Sequence, residues 1–265
     1  MKICRFRVEG EARYGVLEGG RVREPRFDRG ELPGCQYVNR QPGEKSWPVD
    51  TVEILPPTEP SKIVCVGRNY REHAAELHNP IPQEPLLFLK PPSAIIASGE
   101  PILLPDVSRQ VDYEGELGVV IGKRCSQLSD AADALDCVMG YTCLNDVTAR
   151  DLQQADVQFT RAKGFDTFCP FGPFIETELK LEEVTVETLV NGQRKQFGRV
   201  SDMIFPVDAI IRYISRVMTL EPGDVIATGT PAGVGPLRAG DEVEIVVSGV
   251  GRLKNPVRAK GESKF

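Results

Sequence analysis

The chain has 265 residues, 41% of them hydrophobic, and a formal net charge of -6. That length is enough to bury a sizeable core, no apolar run approaches the roughly 20 residues of a membrane span, and the acidic balance without a lysine or arginine run offers nucleic acid no footprint. The seven cysteines, Cys4, Cys35, Cys65, Cys125, Cys137, Cys143 and Cys169, are scattered without a C-x-x-C pair, which argues against a disulfide framework or structural zinc.

The N-terminus turns charged before a signal-type apolar stretch develops, so the expectation is a cytoplasmic protein. Its expected partners are small molecules or copies of itself, and most of its thiols read as small buried hydrophobes. In chain order, KICRFRV and ARYGVLEGGRVRE read as short strands with a hairpin at Gly19-Gly20, giving a small β-rich module over residues 1–56. The proline-dense segment Leu55–Pro60 marks the boundary, and residues 57–265 form the main domain. KIVCVG reads as a buried strand, NYREHAAELH as a short helix, and PLLFLKPP as a strand stopped by prolines. VDYEGELGVVIGK reads as a strand, SDAADALDCVMGYTCLND as a helix leading into a strand, and VTARDLQQAD as a helix. A β-rich stretch around GPFIETEL, a helix near PVDAIIRYISRVMTL, and the strands VIATGT, DEVEIVVSGVG and RLKNPVRA follow. Strands dominate and helices are interspersed irregularly, so the pattern predicts an α+β, mostly β fold, a mixed β-roll rather than a doubly wound sheet.

Several chemistries are absent. There is no G-x-x-x-x-G-K-[ST] phosphate loop and no G-x-S-x-G elbow, and TPAGVGPLRAG lacks the G-x-G-x-x-G spacing of a dinucleotide site. With only His73 and His78, any histidine base lies in one segment and zinc is disfavoured. The informative feature is Glu114 and Glu116. On a strand, residues two apart share a face, and Asp112 faces the same way. Two such charges about 4 to 5 Å apart at an effective dielectric near 20 repel by roughly 4 kcal/mol, or about three pKa units. A solvated strand face would relieve this, but the strand runs into the apolar Val119-Val120-Ile121, as strands covered on both faces do. All-oxygen ligands then point to magnesium or manganese, with calcium as the third hard cation they admit. Asp146 is the natural third ligand, and it reads equally well as a helix N-cap.

The motifs Val66-Gly67-Arg68-Asn69-Tyr70 with His73, Leu87-Phe88-Leu89-Lys90-Pro91, Asp112–Leu117, Asn145–Asp151, Lys163–Asp166, Val190-Asn191-Gly192 and Thr228–Pro236 occur in that order. In this the chain resembles the fumarylacetoacetate hydrolase family, and its first fifty residues resemble the small module attached to many bacterial members. The resemblance implies a metal on Glu114, Glu116 and Asp146 and a catalytic pair of His73 and Glu76, where i, i+3 spacing on a helix lets the carboxylate orient the imidazole. It further implies that Lys163, beside Gly164, contacts the reacting oxygen and that Thr230 holds a substrate carboxylate. Arg68 and Gln153 are further candidates for substrate binding, each equally readable as a surface salt bridge or a helix-face amide. Residues 71–85 read either as a lid or as a static loop. No acidic residue lies between Ser61 and Arg71, so the chain resembles the three-carboxylate members. The implied activity is hydrolysis of a carbon–carbon bond in acylpyruvate-like β-diketo acids such as fumarylpyruvate, by a homodimer. The alternatives are an isomerase or decarboxylase of 2-hydroxyhepta-2,4-diene-1,7-dioate type, an oxaloacetate tautomerase or decarboxylase, and a catalytically silent metal- or ligand-binding module.

Overall fold

Gly19 and Gly20, with φ of +56° and +74°, make the two-residue turn that antiparallel strands favour. They join the strands Glu11–Glu18 and Arg21–Pro25. A computed structural model describes residues 1–25 and 42–262, so Cys35 lies outside the described residues. The six described cysteines are free and buried, as expected of small apolar side chains.

The strand Lys2–Val8 joins the N-terminal residues to the rest of the molecule. One of its edges pairs along its whole length with Glu11–Glu18. The other takes Glu53–Leu55 opposite Arg5 to Arg7 and the start of a register with Cys169–Glu176 at Lys2 and Ile3. The large sheet continues from Cys169–Glu176 through Val138–Asn145, Gly115–Ile121, Val225–Ala227 and Ile63–Gly67 to an edge strand, Leu86–Lys90. Only Val225–Ala227 with Ile63–Gly67 is parallel along that path. A second sheet of five strands runs Gln193–Arg199, Thr185–Val190, Glu242–Val247, Gly251–Ala259, Ile102–Leu104. Leu117, Val119, Val186, Ile245 and Leu253 are fully or almost fully buried in one shared core. This is the mostly β, mixed-sheet architecture that the strand-rich pattern predicts.

The helices are few and short: α1 (Arg71–Glu76), α2 (Arg150–Ala155), α3 (Thr160–Lys163) and α4 (Val207–Val217). In α4 the buried residues Val207, Ile210, Ile211 and Ile214 follow the three-to-four spacing of one helix face. Two expectations are corrected here. SDAADALDC forms no α-helix: the Asp133 carboxylate accepts from the Leu135 N–H, leaving a single 3-10 turn, Ala134–Cys137. The Gly122 and Lys123 N–H groups take the Cys137 carbonyl, which draws the chain straight into the next strand. Asp146 is also not an N-cap, because Thr148–Ala149 is extended and α2 starts only at Arg150 behind Ala149.

A third sheet, of three short strands, positions the site. Val111–Tyr113 lies between Thr148–Ala149 and Gly235–Pro236. It draws together the chain before Glu114, the chain after Asp146 and the glycine-rich turn after Thr230.

Candidate metal centre

The segment read as one strand from Val111 to Ile121 is two, with Glu114 at the break. Glu114 and Glu116 are therefore not neighbours on one continuous strand; they stand on either side of Gly115, at the point where one strand ends and the next begins. A Cβ on Gly115 would stand 2.1 Å from Thr188 Oγ1, so only glycine lets the chain approach the second sheet this closely. Gln196 ties this point of the chain to the second sheet and to the glycine-rich turn. Its Oε1 accepts from the Gly115 N–H at 3.0 Å and from Thr188 Oγ1 at 2.7 Å, and its Nε2 donates to Thr230 Oγ1 at 2.8 Å and to the Pro231 carbonyl at 2.7 Å. Asp146 is brought alongside by its own N–H, which donates to the Glu114 carbonyl at 2.8 Å.

The result is a buried cluster in which one carboxylate oxygen each from Glu114, Glu116 and Asp146 lie within 4.8 Å of one another. Two lysines and an arginine surround it. Lys163 Nζ donates to Glu114 Oε2 at 2.8 Å and to Asp146 Oδ2 at 2.6 Å. Lys90 Nζ donates to Asp146 Oδ1 at 2.6 Å and to the Val147 carbonyl at 3.0 Å. Arg150 donates to Glu114 Oε1 at 2.5 Å, Asp112 Oδ2 at 2.8 Å and Gln153 Oε1 at 2.5 Å. Asp112 is thus tied to Arg150 and is not one of the three cluster carboxylates.

The two glutamates titrate in opposite directions. Burial would raise Glu114, but the charges of Lys163 and Arg150 outweigh it and hold that carboxyl well below the usual range. Burial pushes Glu116 well above it, and the nearby Asp146 and Glu114 charges push the same way, opposed more weakly by Lys163 and the Gly229 N–H. Lys163 is raised: burial opposes its charge, and Asp146 and Glu114 more than compensate. An all-oxygen cluster with one carboxylate short of positive charge suits a hard divalent cation of the magnesium, manganese or calcium class.

Beside the cluster opens a cavity of about 210 Å³. His73, on α1, lines it, with Nδ1 3.3 Å from Glu76 Oε2. Glu76 also accepts from the Gly233 N–H at 3.0 Å, so it spans α1 and the glycine-rich turn. Gly233, at φ +100°, is needed there, because a Cβ would meet the Lys195 carbonyl at 2.2 Å. Arg68, Gln153, Lys163 and Thr230 also line the cavity. Arg68 has φ of +58°, and its guanidinium has no partner among the described residues.

Two of the expected substrate contacts are changed by this geometry. Thr230 Oγ1 donates to the Gly115 carbonyl at 2.8 Å, so its proton is already committed and it can offer a ligand only a lone pair. Gly164 does not line the cavity. It ends α3, where a Cβ would meet the Thr160 carbonyl at 2.5 Å. Of the segment 71–85, the first part is α1, and Leu77 and Asn79 beyond it reach the cavity wall. Sequence reading missed Lys90, Arg150 and Gln196 as site residues. The first two lie inside the quoted motifs, which was the one signal available for them.

Residues 62–258 match the family described as fumarylacetoacetate (FAA) hydrolase C-terminal. The chain belongs to the fumarylacetoacetate hydrolase family. Residues 1–57 match a second family, described as Rv2993c-like, N-terminal. Within this family the chain is 43% identical over 234 residues to oxaloacetate tautomerase YisK of Bacillus subtilis, covering 83% of this chain and 77% of the relative. A crystal structure of 2-hydroxyhepta-2,4-diene-1,7-dioate isomerase from Mycobacterium marinum superposes with a TM-score of 0.88 at 44% identity, over 99% of this chain and 100% of that one. Maleylpyruvate hydrolase from Sphingobium sp. SYK-6, solved with manganese(II) and pyruvate, gives 0.79 at 31% identity, over 98% and 99%. Family members thus include a tautomerase, an isomerase and a hydrolase. No described helix is long and apolar enough to cross a membrane.

Proposed function

We propose that the chain is a divalent-metal-dependent enzyme that moves a proton between the keto and enol forms of a small 2-oxo dicarboxylic acid, as a tautomerase or isomerase. The observation that carries this reading is one cavity flanked by the three-carboxylate cluster, the His73–Glu76 pair and Arg68, which has no partner among the described residues. Glu114, Glu116 and Asp146 would hold the ion, which when bound supplies Lewis-acid stabilisation of negative charge developing on the keto oxygen.

The remaining work falls to side chains. A proton on His73 Nδ1 donated to Glu76 leaves Nε2 as the base that takes a proton from the carbon beside the keto group and returns it. Lys163 has three N–H donors and spends two on Glu114 and Asp146, so the third, without an acceptor among the described residues, stabilises the enol oxygen. Arg68, with no counter-charge among the described residues, pairs with the distal carboxylate. Relatives named as a tautomerase and an isomerase, at 43% and 44% identity, support this reading, while a structure named fumarylacetoacetate hydrolase at 40% and maleylpyruvate hydrolase at 31% keep the hydrolytic reading in play.

A second reading, hydrolysis of acylpyruvate-like diketo acids, is favoured by a specific feature: Leu77, Leu86, Phe88 and Phe159 give the same cavity an apolar side. That surface suits an acyl tail better than a second carboxylate, and in this reading His73 activates water. The deciding experiment incubates the protein with manganese or magnesium and oxaloacetate, 2-hydroxy-diene dioates or 2,4-dioxo acids, and follows products by NMR. Faster keto–enol exchange or double-bond migration supports the first reading. Carbon–carbon cleavage of a dioxo acid as the dominant reaction overturns it in favour of the second. The homodimer expected from the family resemblance belongs to the same proposal and is read by light scattering.

A further inference from the structure

The paired strands Gly115–Ile121 and Val138–Asn145 hold Glu116 near one end of their ladder, and two cysteines lie just beyond the other. Cys137 ends the 3-10 turn before its strand, and its carbonyl accepts from the Gly122 and Lys123 N–H groups at 2.7 and 3.2 Å. Cys125 is clamped to Leu220 by two backbone hydrogen bonds, at 3.0 and 2.9 Å. The two thiols hydrogen-bond to each other, and neither residue lines the cavity. The other described thiols are placed differently. Cys4 and Cys143 donate to the Gly15 and Gly251 carbonyls at 3.6 and 3.4 Å, while Cys65 and Cys169 are wholly enclosed.

The geometry points to Cys125 and Cys137 as a site of reversible oxidation, a thiol pair that a hydroperoxide converts to a disulfide. Sulfurs already in hydrogen-bond contact have less than about 2 Å to travel to bonding distance, and the backbone bonds of both residues keep them opposed. Cys137, at 8% exposure against 4% for Cys125, is the thiol that a peroxide meets first. Its sulfur attacks hydrogen peroxide and the O–O bond breaks. One hydroxyl stays on sulfur as a sulfenic acid, and the other leaves as water with the thiol proton. The Cys125 sulfur then attacks the sulfenic sulfur, the S–O bond breaks, and that hydroxyl leaves as a second water with the Cys125 proton. The two thiols together give up two electrons to one peroxide. Burial, with Cys137 alongside, pushes the Cys125 thiol up to about 12, which suits it to the second step and not to the first. The new bond would close a loop over residues 126–136, which hangs on α4 through Gln127 and Leu128 at Ser215, Asp130 at Arg216 and Ala132 at Arg212. Closing it constrains the unfolded chain and so stabilises the folded one.

The test exposes the full chain to hydrogen peroxide, with Cys35→Ser so that the one cysteine outside the described residues takes no part. Intact mass, peptide mapping without reductant and thermal melts are the readouts. The expected result is a mass loss of about 2 Da, one cross-linked peptide pair holding Cys125 and Cys137, and full reversal by dithiothreitol. The melting temperature should stand about 5–10 °C above that of the reduced protein. Cys125→Ser should abolish the mass loss and let Cys137 continue to a sulfinic acid. The proposal is overturned if both thiols remain open to alkylation after peroxide, if each becomes a separate sulfinic acid, or if either links to another cysteine. A cross-linked protein that melts no higher than the reduced one would overturn the stabilising role. Should Cys125→Ser not fold, the peptide map of the intact pair decides.

Discussion

The floor of the cavity and its rim are built differently. On the floor, Lys163, Lys90 and Arg150 are deeply buried and each engages at least two partners, Lys90 from the end of a strand and Arg150 and Lys163 from the ends of short helices. On the rim, His73 has one long contact to Glu76, Glu76 reaches the glycine-rich turn through a single N–H, and Arg68 has no partner among the described residues. A floor so heavily cross-linked fixes where charge sits, while a lightly tethered rim leaves the choice of substrate and reaction to a few side chains. This division fits a family in which tautomerase, isomerase and hydrolase share one architecture.

Mutations on the two sides should separate accordingly. The largest effect is expected from Glu116→Ala on the floor, with metal-dependent turnover and manganese affinity both falling at least about a hundredfold; normal turnover in added manganese would remove the carboxylates from the mechanism. On the rim, His73→Ala should lower turnover about 10²- to 10⁴-fold while manganese affinity, read by calorimetry, stays within a few-fold of wild type. Arg150→Ala removes the shared counter-charge of buried Asp112 and Glu114 and should cost about 3–5 kcal/mol in denaturant unfolding. The corresponding loss for His73→Ala should be far smaller.

The pH response belongs to the floor. Because Glu116 is raised in the folded chain, its contribution to metal-free stability is present at low pH. It is lost as pH rises from the ordinary glutamate range through that raised value. Thermal melts of the metal-free protein should decline across that window. The manganese-induced rise in melting temperature should grow across it, since binding displaces a proton. The smallest effect is expected from Arg68→Ala, which should raise KM about tenfold for a dicarboxylic 2-oxo acid and leave KM for a monocarboxylic one nearly unchanged. Equal changes for both substrates would detach Arg68 from the distal carboxylate.

Much of the floor was legible in the sequence through its acids. A glutamate pair running into an apolar strand signals an unmet electrostatic cost before any fold is known, and Glu114, Glu116 and Asp146 do meet in space. Three of the residues that surround and position these acids were not legible. Lys90 sits in an ordinary apolar strand, Arg150 opens a short helix, and Gln196 lies on an otherwise largely exposed strand, Gln193–Arg199. Nothing in their neighbours along the chain tells that each points at a residue dozens of positions away. Gln196 is turned inward at a register irregularity in its strand, and such irregularities re-aim side chains without marking the sequence. The same limit explains the break at Glu114, which an unbroken β-pattern concealed, and the overextended helix before Val138, where local composition was overruled by backbone contacts with Gly122 and Lys123. Gly164 illustrates the converse: beside a lysine that lines the cavity, it lies off the cavity wall and packs closely against the Thr160 carbonyl at the end of α3.

The strand Lys2–Val8 has a bearing on handling this protein. Its first residues pair with the end of Cys169–Glu176, and the amino terminus is bonded to Glu176 at 2.5 Å. Removing the N-terminal residues would therefore strip a neighbour from a strand that continues into the large sheet, leaving backbone donors and acceptors ready to recruit another chain. A shortened form lacking residues 1–56 should be judged first by whether it stays in solution, and only then by what it catalyses.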